Sequence, residues 1–102
     1  MNNKKLINGL GLARRSGKIV FGFRLIEAIK NNQVNLVIIA TDMGETQKKK
    51  FIDKSNFYNI EQWTDMMSIE ELSQATGLKK VVAIGIKDKN IITLLKQSKE
   101  KE

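Results

Sequence analysis

Four cations surround one glycine early in the chain: Arg14, Arg15 and Lys18 precede Gly22, and Arg24 follows it. The tract they frame, SGKIVFGFRLIEAIK from Ser16 to Lys30, reads as a short extended run (Lys18 to Phe21), the glycine, and the start of a helix. A helix start offers unpaired backbone N–H groups and a partial positive charge, so cations on both sides of it describe a place for an anion such as phosphate. Two nucleotide-binding motifs are approached and missed. Gly11-LARRS-Gly17-Lys18-Ile19 is one residue longer than a P-loop and lacks the hydroxyl after lysine that would hold magnesium. It also follows a helix rather than a strand. Gly9-x-Gly11 has no third glycine in dinucleotide register.

Catalytic chemistry has little to work with. The chain has no histidine and no cysteine, which removes the usual general base near neutral pH, thiol nucleophiles and the commonest metal ligands. Asp42 and Asp65 fall near strand ends, where open α/β sheets gather ligands, and each also fits a turn or helix cap. An enzyme acting on a small anionic substrate would rest on these two carboxylates. The expectation is no catalytic residue, no metal and no cofactor.

Charge points elsewhere. The 102 residues carry a net charge of +7. From Met1 to Phe51 there are ten Lys or Arg against three acids, and from Ile52 to Glu102 eight of each, so the whole excess lies in the first half. Such asymmetry suits a polyanion, most often nucleic acid. The longest apolar runs, LVIIA and VVAIGI, are too short to cross a bilayer, and no leader-like segment opens the chain. A soluble, cytoplasmic protein without a membrane partner is expected.

The elements that must position these residues follow from periodicity. Leu6, Ile7, Leu10 and Ala13 predict an amphipathic helix from Lys4 to Arg15, with Gly9 and Gly11 available for close packing and Ser16-Gly17 as its end. Val20 to Asn32 supplies a short strand and a second helix with Leu25, Ile26 and Ile29 inward. LVIIA (Leu36 to Ala40) is an unbroken β-branched run of the kind buried on both faces of a sheet. Glu45 to Asn56 predicts a third helix with Phe51, Ile52 and Ser55 toward the core, and NIEQW (Asn59 to Trp63) a strand with one wetter face. Ser68-x-x-Glu71 is a capping box for a fourth helix carrying Ile69, Leu72 and Ala75 and stopping at Gly77. VVAIGI (Val81 to Ile86) is a further strand. Asp88 caps a last helix with Ile91, Ile92, Leu94 and Leu95 inward, and Ser98 to Glu102 reads as a frayed, charged tail. Strict alternation of helix and strand predicts one domain over residues 1–102, a three-layer α/β/α sandwich with a mixed sheet of about four strands and helices on both faces.

Within that frame, Lys48-Lys49-Lys50 fits either a solvated helix face or a sequence-independent phosphate contact. Leu78, Lys79 and Lys80 lie on a short loop between a helix-ending glycine and a strand. Leu78 fits the apolar contact that often accompanies such a glycine. Phe23 fits either core or a stacked base.

Taken together, LGLARRSGKIVFG, the helix after it, LVIIATD, KKKFIDKSNFYNI, EELSQATG and VVAIGIKD resemble the L-seven-Ae / L-thirty-e family of small ribosomal proteins. The likeness covers nearly the whole chain and is greatest to the short bacterial members encoded beside translation initiation factor two. The resemblance implies an α/β/α sandwich that binds structured RNA, commonly a kink-turn, through two elements. By position these correspond to Gly17, Lys18, Gly22, Phe23 and Arg24, and to Gly77, Leu78, Lys79, Lys80 and Val81. The family's Gly-x-Asn-Glu motif is replaced: Phe23-Arg24-Leu25 follows Gly22, and the expected lysine falls at Glu27 or Ala28. A guanidinium at Arg24 can bond phosphate bidentately and stack on a base, taking over part of the lost contact.

The expectation is therefore a non-enzymatic, ribosome-associated RNA-binding protein acting in translation. Lys18, Arg24, Lys79 and Lys80 would meet phosphates, and Phe23, Leu78 and Val81 would support unstacked bases. Structured RNA, ribosomal RNA foremost, is the expected partner of a monomer with no DNA specificity. The rivals are the enzyme near Asp42 and Asp65, and a protein-interaction module of the translation machinery whose basic face serves solubility.

Overall fold

A computed structural model describes residues 4–100 of the chain. Among the described residues the order is α1 (Lys4–Arg15), β1 (Ile19–Phe21), α2 (Arg24–Lys30), β2 (Leu36–Ile39), α3 (Glu45–Phe57), β3 (Glu61–Trp63), α4 (Ile69–Thr76), β4 (Ala83–Ile86) and α5 (Lys89–Glu100). The strands form one sheet in the order β1-β4-β2-β3. β4 runs antiparallel to both its neighbours, and β2 and β3 are parallel. The sheet is mixed and four-stranded, with α2 and α3 packed side by side on one face and α1 packed against α4 and α5 on the other. The sandwich predicted from alternation is the one found.

Placement in the sheet follows from composition. LVII of β2 and AIGI of β4 are buried along their whole length, as unbroken apolar strands must be, and they occupy the two central positions. The short strands β1 and β3 carry mixed burial and take the edges. The helix ends follow local chemistry. Ser68 and Glu71 exchange both capping-box hydrogen bonds, at 3.1 and 3.0 Å. The Asp88 carboxylate accepts the Asn90 N–H at 2.7 Å. Asn32 takes the left-handed conformation that ends α2, at φ 54°.

Two close approaches set the layer spacing. A Cβ on Gly9 would lie 2.6 Å from Leu95 Cδ2, so the missing side chain lets α5 seat on α1. A Cβ on Gly85 would lie 2.7 Å from Leu25 Cδ1 and 2.8 Å from Val34 Cγ1, so this glycine is what lets α2 sit down on β4.

Several expectations need correction. Ile7 and Leu94, expected inward, are 43% and 50% exposed: they lie off the inward stripes formed by Leu6, Leu10 and Ala13 and by Ile91, Ile92 and Leu95. Ile26 is only half-buried, and Ala28 joins Leu25 and Ile29 on the inner face of α2. α3 ends one residue later than expected, at Phe57. α5 continues to Glu100 where fraying was expected from Ser98; Lys101 and Glu102 lie outside the described residues.

The tight seat of α2 gives a stability test. Gly85→Ala forces a methyl between Leu25 and Val34 and should destabilise the protein by about 1–3 kcal/mol, as overpacking does. Urea unfolding measures it; an unchanged midpoint would show that α2 is free to shift.

Candidate nucleic-acid interface

The first element is built on the edge of the sheet. α1 closes at Ser16-Gly17 with the Lys18 N–H donating back to the Ala13 carbonyl at 2.9 Å. The chain then enters β1, which pairs with β4 in the register Ile19–Ile86, Val20–Gly85 and Phe21–Ile84. Beyond Phe21 the backbone must turn sharply into α2, and it does so at Gly22 with φ 68°, a conformation a side chain resists. The Gly22 carbonyl accepts the Leu25 N–H at 3.1 Å, closing the turn. Phe23 takes the capping position without a side-chain hydrogen bond, and its ring is 88% exposed. The exposure rules out the core reading of Phe23 and leaves its ring standing in water beside Arg24.

The second element hangs from α4. Gly77 ends that helix at φ 75°, and the Leu78 N–H donates to the Ser73 carbonyl at 3.1 Å. Leu78 is half-buried against the core, as a glycine-capped end favours, while Lys79 and Lys80 stay exposed. Ser73 fixes the far side of the loop: its Oγ donates to the Ile69 carbonyl at 2.7 Å and accepts the Val81 N–H at 2.9 Å. Sequence reading missed Ser73. Its signal was there, a hydroxyl one turn before the helix end on the inward side, but the same pattern fits any buried serine. Val81 corrects an expectation: it is 5% exposed, so its side chain belongs to the core and offers no surface to a base.

Strand direction brings these elements together. Phe21, the last residue of β1, faces Ile84 near the start of β4. The turn Gly22–Arg24 and the loop Leu78–Lys80 therefore leave the same end of the sheet. Gly17 and Lys18 do not join them. They enter β1 at its opposite end, roughly 10 Å away at strand rise, where the Lys18 carbonyl accepts the Lys87 N–H at 3.0 Å. One groove along the β1 edge nevertheless links Gly17 to Gly22, Phe23 and Arg24, and Glu27 and Lys87 also line it. The second groove carries Leu78, Lys79 and Lys80 together with Asp42 and Glu70.

The electrostatics favour a polyanion held in a defined orientation. Among the described residues, none of Lys18, Arg24, Lys79 and Lys80 forms an ion pair, so no internal partner must be displaced. The Arg14 guanidinium lies over the Phe21 ring, 5.9 Å from its centroid, and extends the basic, aromatic surface past the β1 edge. Each groove also holds carboxylates, Glu27 in the first and Asp42 and Glu70 in the second, which repel phosphate from part of the lining. α2 is only seven residues long, so side-chain cations supply more of the attraction than its dipole. Asp42 is occupied: its Oδ1 accepts the Ile69 N–H at 2.8 Å, capping α4 across the fold. Asp65 is exposed. No group of acids placed to hold a metal occurs among the described residues, and none of their helices is long and apolar enough to cross a membrane.

Comparison with known proteins agrees with this architecture. The chain is 38% identical over 88 residues to the RNA-binding protein YlxQ of Enterococcus faecium, an alignment covering 85% of this chain and 84% of that one. A protein of unknown function from Bacillus halodurans C superposes with a TM-score of 0.87 at 32% identity, covering 97% of this chain and 99% of the other. A Giardia lamblia 15.5kD RNA binding protein shares the fold alone, with a TM-score of 0.76 at 15% identity over 95% of this chain and 83% of that one. The model of the ribosomal protein L7Ae/L30e/S12e/Gadd45 family matches residues 4–96. With nearly its whole length matched, the chain belongs to the ribosomal protein L7Ae/L30e/S12e/Gadd45 family.

Proposed function

We propose that this is a single-domain, non-enzymatic RNA-binding protein of the bacterial cytoplasm, ribosome-associated and monomeric, that holds bent, kink-turn-like RNA across one end of its sheet. One observation carries the reading: antiparallel pairing of β1 with β4 puts the turn Gly22–Arg24 and the loop Leu78–Lys80 at the same end of the sheet, with the cations of both unpaired among the described residues. Family membership and a 38% identical relative named as an RNA-binding protein support it. Arg24, Lys79 and Lys80 contact phosphates, with Lys18 reaching the same strand from the far end of β1. Phe23 and Leu78 receive unstacked bases. Phosphate contacts position the RNA, and the bend decides whether both elements are reached at once. Glu27, in the groove with Arg24, restricts how the backbone lies there. The enzyme reading loses its main support, because Asp42 is engaged in capping α4.

The test is binding of a compact kink-turn RNA and a straight duplex of equal length across a salt series. Four phosphate contacts predict a log K slope of about −3 against log salt, with the bent RNA bound more tightly. No binding to either RNA at low salt overturns the reading, and equal binding removes its bent-RNA part. On the compact RNA, Arg24→Ala should cost about tenfold or more, the worth of a charge-assisted contact, while Lys50→Ala should change little. Equal losses would mean that the face is misplaced. Ser73→Ala orphans the buried Val81 N–H and should cost about 1–3 kcal/mol of stability. Amide exchange at Val81 reads it directly: an unchanged rate would show that the loop is held by other contacts.

A further inference from the structure

The exposed face of α3 is a basic and aromatic surface that the site above does not use. Thr46, Lys49, Lys50, Asp53, Lys54 and Phe57 recur at three-to-four spacing and line one open groove on this helix. Lys48 is not part of it: its Nζ donates to the Thr41 carbonyl at 3.3 Å. The remaining stripe has three lysines against one aspartate, and none of the three forms an ion pair among the described residues. At its end stands Phe57, whose ring meets Tyr58 edge-on with centroids 4.9 Å apart and stays 76% exposed. The contact with Tyr58 uses one edge of the ring, and the rest stands in water beside unpaired lysines, open to a further partner.

Lysines repeating along a groove with an aromatic ring for a base to lie on are the parts from which single-stranded nucleic acid surfaces are made. Charge complementarity therefore selects the occupant. We infer that the α3 face binds a single-stranded stretch of RNA, with Lys49, Lys50 and Lys54 on successive phosphates and one base stacked on Phe57. The inference goes beyond the proposed function, because it places a second contact on a different face of the molecule.

Topology says how the two surfaces relate. β2 ends beside the start of β4, with Ile39 facing Ala83, so α3 begins at the end of the sheet where Gly22–Arg24 and Leu78–Lys80 lie. Its 13 residues carry the stripe roughly 20 Å toward the opposite end. RNA seated on those two loops thus has a basic path leading away from it. The longest dimension of the domain is 30 Å. A flank of about ten nucleotides, at about 3.4 Å each when stacked, is long enough to follow that path.

The experiment compares the compact kink-turn RNA with the same RNA carrying ten-nucleotide single-stranded flanks at both ends, and with the flank oligonucleotide alone. For the wild-type protein the flanks should raise affinity about tenfold and steepen the log K against log salt slope by about 2, the share of three phosphates at roughly 0.7 each. Replacing Lys49, Lys50 and Lys54 together by Gln should abolish that gain and leave binding of the compact RNA unchanged. Replacing the three by Arg should preserve the gain. Phe57→Ala should remove part of that gain, the share of one stacked base, and leave the added salt slope, which the lysines set, in place. A wild-type protein that gains nothing from the flanks, or a Gln variant that keeps the gain, overturns the inference. The same holds if an acidic peptide binds the α3 lysines while the flanks add nothing, which would assign the face to a protein. Failure of the two-loop site would show separately: the compact RNA would not bind, while the free oligonucleotide would still bind at low salt and lose that binding in the Gln variant.

Discussion

The antiparallel pairing of β1 with β4 is the constraint on which the site depends. β1 has three residues and pairs on one side only, so little else fixes where its end points. The register with β4 does it, by setting Phe21 against Ile84. Had β1 run parallel to β4, the turn after Phe21 would leave one end of the sheet and the loop before β4 the other. The pairing in turn depends on how α2 packs across it. Gly85, the residue of β4 opposite Val20, makes room for Leu25 and Val34, and so the helix carrying Arg24 lies directly over the pairing that aims it.

Each element is then held by contacts away from the surface it presents. The turn at Gly22 is closed by its own carbonyl, and the loop after Gly77 is tied down through Ser73 and through the packing of Leu78. The side chains left over, Phe23, Arg24, Lys79 and Lys80, take no part in holding the fold. Clustered unpaired cations repel one another and gain from an incoming polyanion what they lack from internal partners. Backbone fixed in advance reduces the ordering cost of binding, which then falls on the side chains alone. The carboxylates of Glu27, Asp42 and Glu70 line the same two grooves and repel an anion from part of each.

Much of the fold was legible because apolar patterning in this chain is clean. The unbroken run LVII could only be an interior strand, and the capping box at Ser68 fixed the start of α4 to the residue. Gly9 was legible as a packing glycine but its partner was not, since Leu95 is distant in sequence. Ile7 and Leu94 misled because an apolar residue adjoining an inward stripe carries the same helical spacing as one within it. Of the proposed interface, Arg24, Lys79 and Lys80 stood out by charge, and Gly22 by its place at a turn. What one dimension could not give was the depth of Val81, the role of Ser73, or the separation of Lys18 from Arg24 along β1. The first two depend on how the loop after Gly77 folds back on α4, and the third on which residues the sheet holds extended as β1.

The central claim is that two loops far apart in sequence act as one RNA surface, and backbone amide NMR of the protein titrated with a kink-turn RNA tests it most directly. The account predicts perturbations that rise together, with one binding curve, at Gly22, Phe23 and Arg24 and at Leu78, Lys79 and Lys80. Perturbation of one loop without the other, or a footprint centred on α1 and α5, would contradict it.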